Sequence, residues 1–289
     1  MLRALITAIV TTVSAVSLAQ TSYELSLDSQ RQAGIPQGEI IQLRFEESEI
    51  YRNTERDWWI YVPDQYDGQT PAALMVFQDG AAYLNETGPI RVPVVFDNLI
   101  HRGEMPVTIG VFINPGHFIG DNPEGPARNR SLEYDSTTDV YSRFLLEEII
   151  PEVQKSYRIT DNREGWAIAG LSSGGICAFT VAWQRPDKFS KVVSHIGSFT
   201  NIRGGHLYSD LVRQSSVKPI RIFLQDGSND LNLRPGNWWI ANQQLADSLD
   251  FAGYDYMTVW GDGGHDLEHG GAIFPDTMRW LWRDYDSRP

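Results

Sequence analysis

The chain has 289 residues and a formal net charge of −13, with 24 Lys plus Arg against 37 Asp plus Glu. That acidic balance argues against nucleic acid and anionic membrane as partners, and a lone cysteine, Cys177, excludes a disulfide within the chain. At this length the simplest expectation is a signal over residues 1–19 followed by one large α/β domain over 20–289.

The signal reading rests on Met1-Leu-Arg3, the apolar run that follows it and the small-residue site Ser17-Leu-Ala19. The apolar core is too short for a comfortable membrane span and no later stretch suits one, so the mature chain is expected to be secreted or periplasmic. An uncleaved N-terminal anchor is the alternative. Ile40, Leu43 and Phe45 mark a first strand in a run ending near Tyr51 and Trp58-Trp-Ile-Tyr-Val62 a second, with Asn53-Thr-Glu-Arg56 as the hairpin turn between them. Ala72-Ala-Leu-Met-Val-Phe77 is apolar throughout, as a strand buried on both faces requires. A helix over 93–101 and a strand over 107–113 follow. Residues 114–130, dense in Gly, Pro, Asn and charge, read as a long loop at the carboxyl end of a strand, where open α/β sheets bind ligands; a plain surface excursion fits as well. Residues 138–157 form an amphipathic helix that Pro151 should kink or break. Residues 166–183 read as a buried strand, an abrupt glycine-flanked turn and a helix from about Ser173; further strands are expected over 192–196, 220–224 and 256–260, with a loop over 197–208 and helices over 239–251 and 275–285. Strands alternating with helices predict a mostly parallel central sheet with helices on both faces.

The most informative stretch is Gly170-Leu-Ser172-Ser-Gly174, which fits G-x-S-x-G, the nucleophile elbow of α/β-hydrolases. A strand that turns into a helix within two residues strains the serine backbone and crowds the positions two before and two after it, where glycine has no Cβ to collide. Of the neighbouring serines, neither Ser173, Ser194 nor Ser198 is flanked by glycine in that way. A serine hydroxyl needs a base, and the base an orienting carboxylate. His265, in Gly261-Asp-Gly-Gly-His265 directly after the last strand, is preferred as base over His269, while Asp226 and Asp230 compete as the acid, with Asp230 favoured. His101, His117, His195 and His206 read as surface or supporting residues. The oxyanion donors expected are the backbone N–H groups of Ser173 and of Ala81, the latter on the loop after the third strand. Cys177 reads as a buried structural thiol.

His265-Asp-Leu-Glu-His269 also matches H-x-x-E-H, an inverted zinc-peptidase pattern. That pattern needs a helix to aim both rings at one metal, yet glycine pairs flank it, and the third ligand is missing because no glutamate follows Glu268. The chain is therefore read without metal or other cofactor.

Ala169-Gly-Leu-Ser-Ser-Gly-Gly175, Leu224-Gln-Asp-Gly-Ser-Asn-Asp-Leu231, Gly236-Asn-Trp-Trp-Ile-Ala-Asn-Gln-Gln244 and Gly263-Gly-His265 together resemble the putative-esterase family, which includes enterochelin, feruloyl and acetyl-xylan esterases, formylglutathione hydrolases and mycolyltransferases. Phe77-Gln-Asp-Gly80 and Arg130-Ser-Leu-Glu-Tyr134 fit it too. The resemblance implies an α/β-hydrolase fold and a metal-free ester hydrolase with Ser172 as nucleophile, His265 as base and Asp230, in the family's G-x-N-D loop, as acid. Asp79 departs from the histidine many members carry beside the oxyanion glycine. The substrate expected is a small-molecule or polysaccharide ester, a feruloyl or acetyl group first and a siderophore trilactone second. An acyltransferase and a non-catalytic carbohydrate-binding member are further alternatives. Trp58, Trp59, Trp238, Trp239, Trp280 and Trp282 could stack on sugar or aryl rings, although core packing is their commoner use.

Overall fold

A computed structural model describes residues 22–120 and 126–285; the signal expected over 1–19 lies outside the described residues. Eight strands line up in one sheet in the order β1 (Glu39–Phe45), β2 (Thr54–Val62), β4 (Thr108–Ile113), β3 (Ala73–Gln78), β6 (Trp166–Leu171), β7 (Lys191–His195), β8 (Arg221–Gly227) and β11 (Asp255–Gly261). β1 and β2 pair antiparallel, as do β2 and β4, and every pairing from β4 to β11 is parallel. The short β5 (His117–Phe118) adds to the start of β2, and β9 (Asn232–Leu233) and β10 (Gly236–Asn237) pair in a separate two-stranded sheet.

Alternation along the central strands divides their side chains between two cores. Leu74, Val76, Ile168, Val192, Ile222 and Leu224 face one side. There they pack beneath α4 (Val140–Phe144), α5 (Ile150–Gln154), α6 (Ser173–Gln184), α7 (Tyr208–Gln214) and α8 (Trp238–Ala252). Met75, Phe77, Ala167, Ala169, Val193 and Phe223 face the other side, under α2 (Val92–His101) and α9 (Glu268–Trp282). A strand apolar on both faces thus supplies both layers at once, which is why β3 and β6 read as unbroken apolar runs. Among the described residues no helix is long and apolar enough to cross a membrane.

Several boundaries differ from expectation for identifiable reasons. Thr54 to Arg56 belong to β2 rather than to a turn, because Arg56 points inward to Glu133 and Thr54 bonds the Arg56 guanidinium. The chain over 114–130 is not all loop: it contains β5 and enters α3 (Pro126–Tyr134). The amphipathic 138–157 segment stays helical through Pro151, with a π-helical turn at Leu145–Ile149 joining α4 to α5, so that the proline falls in the first turn of α5. α7 follows the expected 197–208 loop, and α9 begins seven residues before Pro275. Gly270 and Gly271 lie inside α9 because a Cβ at Gly270 would approach His195 to 3.0 Å and one at Gly271 would overlap the Pro89 carbonyl.

α3 is held by a buried ion pair rather than by an apolar stripe. Arg56 and Glu133 are joined by bonds of 2.7 and 3.1 Å with side chains 0% and 1% exposed, and Glu133 also accepts from the Gly116 N–H and the Asn129 amide. The Arg56 guanidinium lies 4.2 Å over the Phe144 ring. Removing one partner leaves a charge stranded in the core, so Glu133→Ala should lower unfolding free energy by about 3–5 kcal/mol in urea denaturation; a change below about 1 kcal/mol would contradict this assignment.

Candidate active site

The strand-to-helix turn between β6 and α6 puts Ser172 at φ 56° and ψ −121°, with Ser173 the first helical residue. The backbone is pinned on both sides. Ser172 N–H donates to His195 O at 3.0 Å, and Ser172 O accepts from the N–H groups of Gly175, Ile176 and Ser198. A Cβ at Gly170 would overlap the Gly174 carbonyl, and one at Gly174 would lie 2.9 Å from Asp79 Oδ2. Gly170 is therefore a steric requirement of this turn, whereas a Cβ at Gly174 would press only on side chains.

Two other loops meet Ser172 at the carboxyl edge of the sheet. After β8, Asp230 N–H closes a turn onto Gly227 O, and after β11 the chain runs through Gly263-Gly264 to His265. The two loops are tied together: Ser228 N–H donates to Gly261 O at 2.9 Å, Asn229 N–H to Gly263 O at 3.2 Å and the Asn229 amide to Asp262 O at 2.7 Å. That lacing aligns three side chains. His265 Nδ1 is 2.5 Å from Asp230 Oδ1, and His265 Nε2 is 2.8 Å from Ser172 Oγ. The carboxylate only accepts, so Nδ1 carries the proton and Nε2 is free to take the serine proton. Burial alone would raise the Asp230 carboxyl, but hydrogen bonds from His265 and Leu231 N–H hold it below the ordinary value.

A second set of partners reaches Ser172 from α8. Asn237 caps that helix through Oδ1 to Ile240 N–H, which starts it at Trp238. Trp238 and Asn242, four apart, share a helix face. Trp238 Nε1–H donates to Ser198 Oγ at 2.9 Å, and Ser198 Oγ is 3.2 Å from Ser172 Oγ. With the Ser172 proton directed at His265, the Ser198 hydroxyl has to donate to Ser172. One line of hydrogen bonds thus runs Trp238, Ser198, Ser172, His265, Asp230. Ser198 carries no signature beyond its place after Gly197, and its role depends on a tertiary contact that only the fold reveals.

The expected oxyanion donors are placed differently from one another. Ser173 N–H is at the head of α6, where the first helical amides lack intrahelical acceptors, and its side chain lies near the buried Asp135. Ala81 N–H is engaged by Asn114 Oδ1 at 3.1 Å, because the chain leaving β4 passes beside α1 (Gly80–Leu84). Use of Ala81 as a donor therefore requires the Asn114 side chain to give way. Asp79, at φ 53° just before α1, is clamped by Arg130 through bonds of 2.7 and 2.6 Å. The guanidinium neutralises a carboxylate that would otherwise oppose negative charge beside Gly80 and Ala81.

The remaining sequence candidates separate. His269 stacks on Tyr23 with ring centroids 4.3 Å apart and bonds the Gln225 amide, while His265 turns to Ser172, so the H-x-x-E-H pair does not converge. Among the described residues no group of three or more His, Cys, Asp or Glu could hold a metal ion. His195 is fully buried beside the Tyr83 hydroxyl, and burial, with His269 nearby, pushes its pKa down to about 3, so it is a neutral support of the sheet edge. Cys177 is buried in the α6 core, and burial pushes its thiol well up. Trp58, Trp238 and Trp282 are each 3% exposed and belong to the interior, whereas Trp239 is half-buried with its ring 5.4 Å from that of Trp260.

A family model described as Putative esterase matches residues 49–280. The chain belongs to that esterase family. An iron(III) enterobactin esterase of Escherichia coli O6:H1 is 26% identical over 260 residues, covering 88% of this chain and 59% of that protein. The corresponding Dickeya dadantii esterase is 24% identical, covering 79% and 52%, so the chain spans little more than half the length of these curated relatives. Among solved structures, the enterobactin esterase of Shigella flexneri, determined in the presence of 2,3-dihydroxy-N-benzoyl-glycine, aligns with a TM-score of 0.68 at 23% identity over 87% of this chain and 62% of that one. The ferulic acid esterase of Anaeromyces mucronatus, in complex with ferulic acid, gives 0.70 at 17% identity over 90% and 97%. These likenesses establish the α/β-hydrolase fold.

Gly170→Ala should therefore cost at least about 3 kcal/mol in urea unfolding, since backbone rather than a flexible side chain would have to move. A variant within about 1 kcal/mol of the parent would show that the turn is looser than described.

Proposed function

We propose that this esterase-family chain is an exported serine carboxylic-ester hydrolase that works through an acyl-enzyme on Ser172. The observation that carries the reading is the unbroken contact from Ser172 Oγ to His265 Nε2 at 2.8 Å and from His265 Nδ1 to Asp230 at 2.5 Å. His265 takes the serine proton as Oγ attacks the ester carbonyl, and Asp230 stabilises the imidazolium that forms. The tetrahedral oxyanion is met by the N–H of Ser173 and, once Asn114 yields, by that of Ala81. His265 then delivers its proton to the departing alkoxide, and a water activated by the same imidazole releases the acyl group. Export rests on the signal-like residues 1–19; mass spectrometry of secreted protein should find an amino terminus at Gln20, and retention of Met1 would favour the anchor.

For the substrate, ferulic acid and 2,3-dihydroxy-N-benzoyl-glycine, named with the two structural relatives, are both hydroxyaryl carboxylic acids. That shared chemistry favours an ester carrying a hydroxyaryl group, with polysaccharide-linked feruloyl as first choice over acetyl. The named activity of the curated relatives supports a siderophore trilactone as the second reading. A panel of methyl ferulate, acetylated xylan and iron-loaded and iron-free enterobactin distinguishes them by relative kcat/KM.

Ser172→Ala should lower p-nitrophenyl acetate turnover by about 10⁴-fold or more with folding intact; equal turnover would place the chemistry elsewhere. Arg130→Met should lower kcat by about 10-fold or more by freeing the Asp79 carboxylate beside the oxyanion site, and Asp79→Asn in the same chain should restore most of the loss. No rescue would show that Arg130 acts on something other than that charge.

A further inference from the structure

Asp226 ends β8 beside the proposed acid. It is fully buried, and the Asp230 side chain is likewise closed to solvent. The two carboxyl groups are close neighbours in the interior, each within electrostatic reach of the other. Every other contact of Asp226 is with a donor: Oδ1 accepts from Gly227 N–H at 2.7 Å and Oδ2 from Asn242 Nδ2 at 2.8 Å. Asn242 cannot be turned to offer its carbonyl instead, because the same Nδ2 also bonds Gly197 O and Trp238 O. On the other partner, Asp230 Oδ1 accepts from His265 and from Leu231 N–H, while the buried Oδ2 has no conventional donor.

Two carboxylates possess only acceptors, so a bond between them requires one proton. Asp230 faces an imidazole, which favours its anion. Asp226 faces an amide and a backbone N–H, and among the described residues no lysine or arginine hydrogen-bonds it. The site also needs two acceptors and one donor on two atoms, a set that a protonated carboxyl offers and an asparagine amide does not.

We propose that Asp226 is held as a neutral carboxylic acid that donates its O–H to Asp230 Oδ2, making it a positioning residue for the His265–Asp230 pair. The proposal rests on the reading of Ser172, His265 and Asp230 as catalytic. The Asp226 hydroxyl anchors the side of Asp230 opposite His265, so that the carboxylate cannot rotate off Nδ1. It also keeps the buried pair at one negative charge, which limits how strongly Asp230 competes for the imidazole proton. The titratable groups facing Asp226 are Asp230, from the turn that follows β8, and His265 beyond it, from the loop after β11; α8 contributes the uncharged Asn242. Burial, reinforced by the hydrogen bond and charge of Asp230, pushes the Asp226 carboxyl up to about 9.

The test has two arms. Infrared difference spectra of the whole protein between neutral and alkaline pH should show a protonated-carboxyl band that titrates near the Asp226 value of about 9. The band should be absent in Asp226→Asn and kept in Asp135→Asn, which removes the other buried acid whose carboxyl is raised by burial. No such band at neutral pH, or a band lost only with Asp135, overturns the assignment. In the kinetic arm, the acid limb of kcat/KM should move by less than about one pH unit in Asp226→Asn, because a neutral amide, imperfectly paired with Asn242 but still able to donate to Asp230, replaces a neutral acid. A downward move of about one unit or more would mean that a charge had been removed beside His265, and would refute the proposal. The infrared arm needs no turnover, so an inactive parent protein would count against the catalytic reading and not against the shared proton.

Discussion

One residue held at φ 56° and ψ −121° is the constraint on which the rest depends. A non-glycine residue in such a conformation costs on the order of 1–3 kcal/mol and persists only where its surroundings over-determine it. At Ser172 they do: the N–H is taken by β7, the carbonyl accepts three N–H groups, and any residue larger than glycine at 170 would run into the Gly174 backbone. The consequence is geometric. The hydroxyl stands clear of the sheet at the head of a twelve-residue helix, within reach of the loops that follow the next strands.

Charge is managed around that corner in three ways. His265 and Asp230 are aligned because the β8 and β11 loops are laced to each other, not because either loop is rigid alone. The Asp79 carboxylate next to α1 is cancelled by Arg130, which α3 brings in, and α3 is in turn moored by the buried Arg56–Glu133 pair. The polar loop region after β4 is thereby linked, contact by contact, to the electrostatics beside Gly80. On the far side, α8 supplies Trp238 and Asn242 from one face, and these set the hydrogen-bonding of Ser198 and Asp226.

The central strands and the elbow were legible because each is written in local chemistry: apolar runs buried on both faces, and glycines where a Cβ cannot fit. Ser172, His265 and Asp230 could be nominated from spacing and chain order, and the structure brings them together. α3 escaped notice because its polar sequence is stabilised by Glu133 finding Arg56 on a distant strand. The start of α9 was hidden by Gly270 and Gly271, which weaken a helix locally yet are required by close packing against His195 and Pro89. Asp226 and Asp230 read as rivals for one role, whereas the fold buries both side chains and turns only Asp230 to His265. Neither Ser198 nor Asn114 announces itself, since each acts through a partner far away in sequence.

Labelling with a fluorophosphonate, followed by peptide mass spectrometry, asks most directly whether the strained serine is the nucleophile. A single adduct on the peptide carrying Ser172, formed much more slowly in His265→Ala, is the result expected of a hydroxyl activated by that imidazole. Labelling of Ser198 instead, or no labelling of folded protein, would contradict it.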